Sequence, residues 1–209
     1  MGFVAGLLTG TPALFGCRYT VVGKSPLTAT WGDANCGGDF GPYLKFSGYD
    51  AIFLSGVSPE PVYLFINDGT AELRRGDHLW GKDIHDTEAL LQDELGPDAR
   101  IACIGPAAER LCLISCIINN RGRAAGRSGL GAVMGAKRLK AVVVKGSQQV
   151  PVADKAKPEQ ATGTGTGGRG SSPLASVIPQ WITFLAAWSG SNLCVRFISS
   201  YKKGDRGWT

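Results

Sequence analysis

The run Arg121-Gly-Arg-Ala-Ala-Gly-Arg-Ser-Gly-Leu-Gly-Ala-Val-Met-Gly-Ala-Lys-Arg-Leu-Lys140 leads directly into the apolar run Ala141-Val-Val-Val144. Cations stand at Arg121, Arg123, Arg127, Lys137, Arg138 and Lys140, glycines recur between them, and no Asp or Glu intervenes. Glycine lets a backbone approach a ligand closely and take a positive φ. Backbone N–H groups at a helix start attract anions, and arginine forks grip phosphate oxygens. The pattern predicts a phosphate-binding loop, a short helix whose N-terminus faces the ligand, and a strand over 141–144. The two commonest phosphate motifs each fail on a residue. Gly129 and Gly131 begin a dinucleotide G-x-G-x-x-G, but Met134 holds its third place, and the G-K-[ST] of a Walker loop is missing. A solvated basic helix face is an equal reading of the same residues.

Outward from this stretch the chain alternates short apolar runs with turn residues. Phe3 to Leu8, Arg18 to Gly23, Leu27 to Trp31, Ala51 to Leu54, Val62 to Ile66, Ala71 to Arg74, Ala99 to Ile104 and Leu111 to Ile118 read as strands. Asn67-Asp-Gly-Thr reads as a hairpin turn. Asn35 with Gly37-Gly38 marks a tight turn whose backbone a ligand can approach. Asp86 or Thr87 is expected to cap a helix through Leu95, stopped by Gly96-Pro97. The fold class is α+β: a β-rich domain of mostly short antiparallel strands with few helices.

Composition narrows the function classes. The 209 residues include 30 Gly and carry a net charge of +5. Much of that charge lies in the glycine-rich run with no aromatic residue between, so it reads as a local anion site and not as a nucleic-acid surface. Six Cys fall at 17, 36, 103, 112, 116 and 194 without a C-x-x-C pair. Their spacing argues against a metal site, and free buried thiols in a reducing cytoplasm are expected. Cys112 and Cys116 are expected on one buried strand face. No charged n-region precedes the apolar N-terminus, so no signal peptide is read there. His78, beside Trp80, and His85 read as surface residues, and no catalytic residue is assigned.

After Pro158 the character changes. A Gly/Thr/Ser-rich segment, 158–172, reads as a flexible linker. The following 173–209 is apolar around Trp181 and Trp188, but Pro179-Gln180 and Ser189-Gly-Ser-Asn interrupt it, so no membrane span is expected. That tail is expected to be poorly ordered.

The segment RAAGRSGLGAVMGAKRLKAVVVKG resembles the signature of the tungsten-containing aldehyde ferredoxin oxidoreductase family, with Ser128 where Gly is usual and Ala136 where Ser is usual. The resemblance runs from about Gly6 to Lys157. It implies that residues 1–157 resemble that family's first, pterin-binding domain, and that part of the domain would precede Met1. It implies a tungstopterin or molybdopterin (bis-pterin) cofactor, with Arg18, Asn35, Gly37, Arg123, Ala124, Gly126 and Arg127 as its contacts. Cys36 stands where the family usually has Ser. The resemblance further implies oxidation of an aldehyde to a carboxylate, a 4Fe-4S cluster, ferredoxin as electron acceptor and a homodimer. The cluster's C-x-x-C-x-x-x-C segment has no counterpart here, so an inactive fragment, ending in a frameshifted or truncated tail, is expected. A nucleotide- or phosphate-binding domain and a non-enzymatic cryptic fragment stay open as alternatives.

Overall fold

A computed structural model describes residues 1–13, 16–151, 184–187 and 192–199. Two six-stranded sheets carry the fold. The first contains β1 (Gly2–Ala5), β2 (Tyr19–Lys24), β3 (Trp31–Cys36), β4 (Ala51–Ser55), β11 (Phe184–Ala187) and β12 (Cys194–Ile198), in the order β11-β12-β4-β1-β2-β3. The second contains β5 (Val62–Asn67), β6 (Thr70–Arg75), β7 (Arg100–Cys103), β8 (Ile117–Asn119), β9 (Arg123–Ala125) and β10 (Leu139–Lys145), in the order β6-β5-β10-β7-β8-β9. Among the described residues every pairing is antiparallel except β5 with β10. Four helices complete the described elements: α1 (Phe40–Phe46), α2 (Ile84–Leu95), α3 (Pro106–Glu109) and α4 (Leu130–Ala136). The β-rich α+β architecture is what the structure shows.

Side-chain alternation explains the layering. In β3, Gly32, Ala34 and Cys36 are buried while Trp31, Asp33 and Asn35 are exposed, the period of two that a sheet with one covered face requires. The inner faces of both sheets share one core. Phe3, Tyr19, Val21 and Leu54 from the first sheet meet Leu64, Ile66, Val142 and Val144 from the second. Within it the Phe3, Tyr19 and Phe40 rings lie 4.8–6.4 Å apart between centroids. The second sheet is covered on its other face too, where Ala141 and Val143 join Leu79, Leu91 and Ile101. That double cover is why β10 reads as an unbroken apolar run.

Three expectations are corrected. Only Ile117–Asn119 of the apolar run 111–118 is a strand. Before it the chain wraps α3, with the Leu111 and Cys112 N–H groups donating to the Ala108 and Ala107 carbonyls. Leu111, Leu113 and Ile114 are exposed, as is Cys112, and Cys116 is half-buried. The backbone of 113–116 is engaged by glycines of the basic run and has no strand partner among the described residues, so tertiary contact overrides propensity. Leu27 to Thr30 is likewise a turn joining β2 to β3, closed by Ser25 N–H donating to the Thr30 carbonyl at 2.9 Å. At α2 the cap is Asp83, whose side chain accepts from Asp86 N–H, which moves the helix start a few residues upstream.

Of the segment set apart from the domain in the sequence, residues 194–198 pair along β4, and Leu193, Val195 and Phe197 are buried in the shared core. The Phe197 ring lies 4.4 Å from that of Tyr49. The linker assigned to 158–172 lies outside the described residues.

The buried pair of Lys140 and Glu109 ties β10 to α3: Nζ donates to Oε1 at 2.5 Å and to the Lys82 carbonyl at 2.7 Å. Lys140 is wholly buried. Glu109→Ala is expected to cost about 3–5 kcal/mol, because it strands a buried charge. Gly135→Ala is expected to cost about 1–3 kcal/mol or more, since its Cβ would lie 2.0 Å from the Ala108 carbonyl oxygen. Gly122→Ala, with no heavy atom of the described residues within 4 Å of the added Cβ, is the neutral control. Urea unfolding midpoints check all three.

Candidate functional site

The first half of the site is built on the β2–β3 hairpin. Antiparallel pairing sets Tyr19 opposite Cys36 and Thr20 opposite Asn35. Asn35 therefore points outward from β3, beside Arg18 at the head of β2. Arg18 Nε donates to Asn35 Oδ1, and Asn35 Nδ2 donates to Thr20 Oγ1 at 3.2 Å. This row fixes which way the Asn35 amide faces. Gly37 follows β3, and the site where its Cβ would stand lies 3.7 Å from an Arg18 guanidinium nitrogen, with nothing nearer among the described residues.

The second half is β9 and the loop after it. β9 lies against β3. Arg123, Ala124, Gly126 and Arg127 are all exposed, and at Gly126, among the described residues, only the Ala124 Cβ comes within 4 Å of an added Cβ. Ser128 ties this loop to the hairpin: its Oγ donates to the Asp33 carbonyl at 3.3 Å, and its Cβ sits where a Cβ on Gly32 would have to go. Beneath the junction lies Cys36. Burial pushes its thiol above the ordinary value, while Tyr19 and the positive fields of Arg18 and Arg123 pull it partly back. Arg18 and Arg123, far apart in sequence, thus act on one sulfur.

The structure brings Arg18, Asn35 and Gly37 together with Arg123 and the 124–127 loop on one edge. No carboxylate among the described residues forms an ion pair with Arg18, Arg123 or Arg127. Three unneutralised guanidiniums beside open glycine backbone form a ready anion site.

The other half of the basic run does something else. Lys140 is the buried partner of Glu109. Lys137 Nζ donates to the Gly56 carbonyl at 2.8 Å, and Arg138 donates to the Pro59 carbonyl. The expected anion site at the start of α4 is also corrected. Gly129, at φ 63°, would drive a Cβ to 1.9 Å from the Leu113 carbonyl oxygen, and Gly131 N–H donates to the Ser115 carbonyl at 3.2 Å. The first turn of α4 is buried in protein, so it presents no ligand face. The nucleotide-loop alternative, which needed that face, loses its footing. His78 pairs with Glu94 at 3.4 Å on the surface, and His85 is exposed on α2; neither joins the site.

Sequence reasoning missed Asn119 and Asn120, which reach back to the Gly37–Asp39 turn. Asn119 Nδ2 donates to the Gly37 carbonyl at 3.1 Å, and Asp39 N–H donates to Asn120 Oδ1 at 2.9 Å. In the sequence the pair is only an ordinary turn signal; nothing local says its amides cross to another sheet.

A family model described as "Aldehyde ferredoxin oxidoreductase, N-terminal domain" matches residues 1–146. The tungsten-containing aldehyde ferredoxin oxidoreductase of Pyrococcus furiosus is 53% identical over 154 residues, which span 73% of this chain and 26% of that protein. An aliphatic sulfonate oxidoreductase, WOR-like subunit, of the same organism is 34% identical over 156 residues, 68% of this chain and 25% of that protein. Among solved structures, the active site complex BamBC of benzoyl coenzyme A reductase in complex with 1,5 dienoyl-CoA matches with a TM-score of 0.73 and 44% identity. That match covers 78% of this chain and 24% of the other. The chain spans about a quarter of the length of the curated relatives it matches.

The thiols give a direct check of the site's layering. Cys17 and Cys112 are exposed, whereas Cys36 and Cys103 are buried, and burial pushes Cys103 up to about 12. A thiol reagent at pH 8 is expected to modify Cys17 and Cys112 first and Cys36 and Cys103 only after unfolding, as read by peptide mass mapping. The neutral Cys103 thiol supports the fold fully below its ordinary value of 9.0, and that support is lost as pH rises toward about 12. The denaturation midpoint should accordingly fall between pH 8 and pH 11.

Proposed function

The chain belongs to the aldehyde ferredoxin oxidoreductase family, as its N-terminal domain, and from that premise we propose that the edge formed by Arg18, Asn35, Gly37, Arg123, Ala124, Gly126 and Arg127 holds a tungsten or molybdenum bis-pterin cofactor. The observation that carries this reading is the meeting of two sequence-remote sets of residues, with three unneutralised guanidiniums and two open glycines. The donor set suits the group. Pterin pyrophosphate is anionic, and arginine forks bind phosphate oxygens with charge-assisted hydrogen bonds. A fixed amide such as Asn35 can both donate to and accept from a heterocycle.

When bound, the metal–pterin group supplies the oxidation of an aldehyde to its carboxylic acid, with water as the oxygen source. The work of this chain is binding and orientation. Arg18, Arg123 and Arg127 neutralise the cofactor's charge. Asn35, held between Arg18 and Thr20, offers a fixed amide without reorganising on binding. Gly37 and Gly126 let the backbone make contact where a Cβ would stand. The 4Fe-4S cluster, the substrate pocket and the ferredoxin contact are assigned to the part of the relatives outside the quarter matched here, and a homodimer and a cytoplasmic location are carried over from the family in the same way. Among the described residues no helix is long and apolar enough to cross a membrane.

The test is expression in a host that makes tungsten or molybdenum pterin, with metal and oxidised-pterin fluorescence measured on the purified protein. Arg123→Ala combined with Arg127→Ala is expected to lower both contents at least tenfold with the far-ultraviolet circular dichroism unchanged. Unaltered content in that variant, or a folded wild-type protein that carries no pterin, would overturn the reading.

A further inference from the structure

The two halves of the site come from different sheets, and something must set the distance between them. Asn119 belongs to both sides of that junction. Its backbone, in β8, pairs with Arg123 of β9. Its side chain leaves the second sheet and ends under the Gly37 turn of the first. There Nδ2 donates to the Gly37 carbonyl at 3.1 Å and to Asn120 Oδ1 at 3.2 Å, while Oδ1 accepts from Cys36 Sγ at 3.2 Å. Asn119 is wholly buried. A side chain that both donates and accepts is required here, and an amide of this length meets the requirement.

Asn120 continues the grip. It sits at φ 47°, the left-handed region that asparagine tolerates better than most residues. Its Oδ1 accepts from Asp39 N–H at 2.9 Å, and its Nδ2 donates to Asp39 Oδ2 at 3.0 Å. Gly38 explains itself on the same terms. At φ 105° it lies so close to the two amides that a Cβ would fall 2.5 Å from Asn120 Oδ1 and 2.8 Å from Asn119 Nδ2. Of the paired glycines, Gly37 faces the open edge and Gly38 makes room for the asparagines.

We propose that Asn119 and Asn120 are positioning residues that clamp the Gly37–Asp39 turn against β8, and so hold the Arg18–Asn35 row in fixed register with Arg123 before any ligand arrives. The clamp rests on the cofactor reading only for the identity of the ligand. A site whose donors are preset loses less on binding than one that must order them. Without the clamp, the Gly37 carbonyl keeps only the weaker Cys36 Sγ donor at 3.4 Å, and the two arginine-bearing segments are tied through Ser128 and Asp33 with no bond to the turn itself.

The Asn120–Asp39 bond offers a specific test, because its polarity can be reversed. Asn120→Asp sets two carboxylates face to face. Combined with Asp39→Asn, it restores one donor and one acceptor with the net charge unchanged. This keeps a balanced charge near Arg100, whose Nε lies 3.7 Å from Asp39 Oδ2. Two readouts are taken on the purified protein: hydrogen exchange at the Asp39 amide, and affinity for inorganic pyrophosphate by calorimetry. Asn120→Asp is expected to speed exchange at Asp39 at least tenfold and to weaken pyrophosphate at least tenfold, with the thermal midpoint little changed. The double substitution is expected to return both to within about threefold of wild type. Unchanged exchange at Asp39 in Asn120→Asp, or faster exchange that leaves pyrophosphate affinity as it was, overturns the clamp. A wild-type protein that ignores pyrophosphate counts against the cofactor reading, while the exchange arm still decides whether the asparagines hold the turn.

Discussion

The approach of α4 to the chain around it is closer than any side chain permits, and the two sheets are locked in place through that approach. Gly129 and Gly131 lie against the backbone of 113–116, and Gly135 lies against the Ala108 carbonyl. With the helix drawn in this far, Leu130 and Met134 reach the core shared by both sheets, while α4 touches β2 and β3 on one side and β10 on the other. Packing at this density leaves no slack for a methyl group. The arginine loop hangs from the buried N-terminal end of this helix, and Ser128 fastens it to β3. The helix thus serves as a wedge whose depth fixes where the loop emerges.

One cationic run is consequently divided between two tasks. Its C-terminal members pair with Glu109 or with backbone carbonyls and serve the fold. Its N-terminal members stay exposed and unneutralised at the edge of the site. Charge that is spent on a buried partner is not available to a ligand, and the arrangement keeps the two uses on opposite ends of α4.

Much of the fold was legible in the sequence because alternation survives wherever one strand face is covered, as in β3, and because β10 is apolar enough to announce cover on both faces. The residues proposed for the site are read from the resemblance of two short motifs, and the structure sets both motifs on one edge. The roles of the glycines were not legible. Gly131, Gly135, Gly37 and Gly126 give the same local signal, namely no Cβ, whether the missing atom makes room for protein or for a ligand. Only the neighbours tell them apart. The run 111–118 misled for a related reason: apolar β-branched residues suggest a strand, but a strand needs a partner, and here the backbone meets packed glycines. Asn119 and Asn120 were silent because their partners lie some 80 positions away.

The pairing of β12 with β4 bears on how the molecule is made. It joins Ala51–Ser55 to Cys194–Ile198, segments with the whole of the second sheet between them in sequence. High contact order of this kind slows folding, because a long loop must close before the pairing rewards it. During synthesis the outer edge of β4 waits exposed while everything between is translated, and an open edge invites strands from other chains. Chaperone dependence and yield should therefore track the speed of elongation through the later codons, even though the residues gathered at the arginine edge have all been made by then.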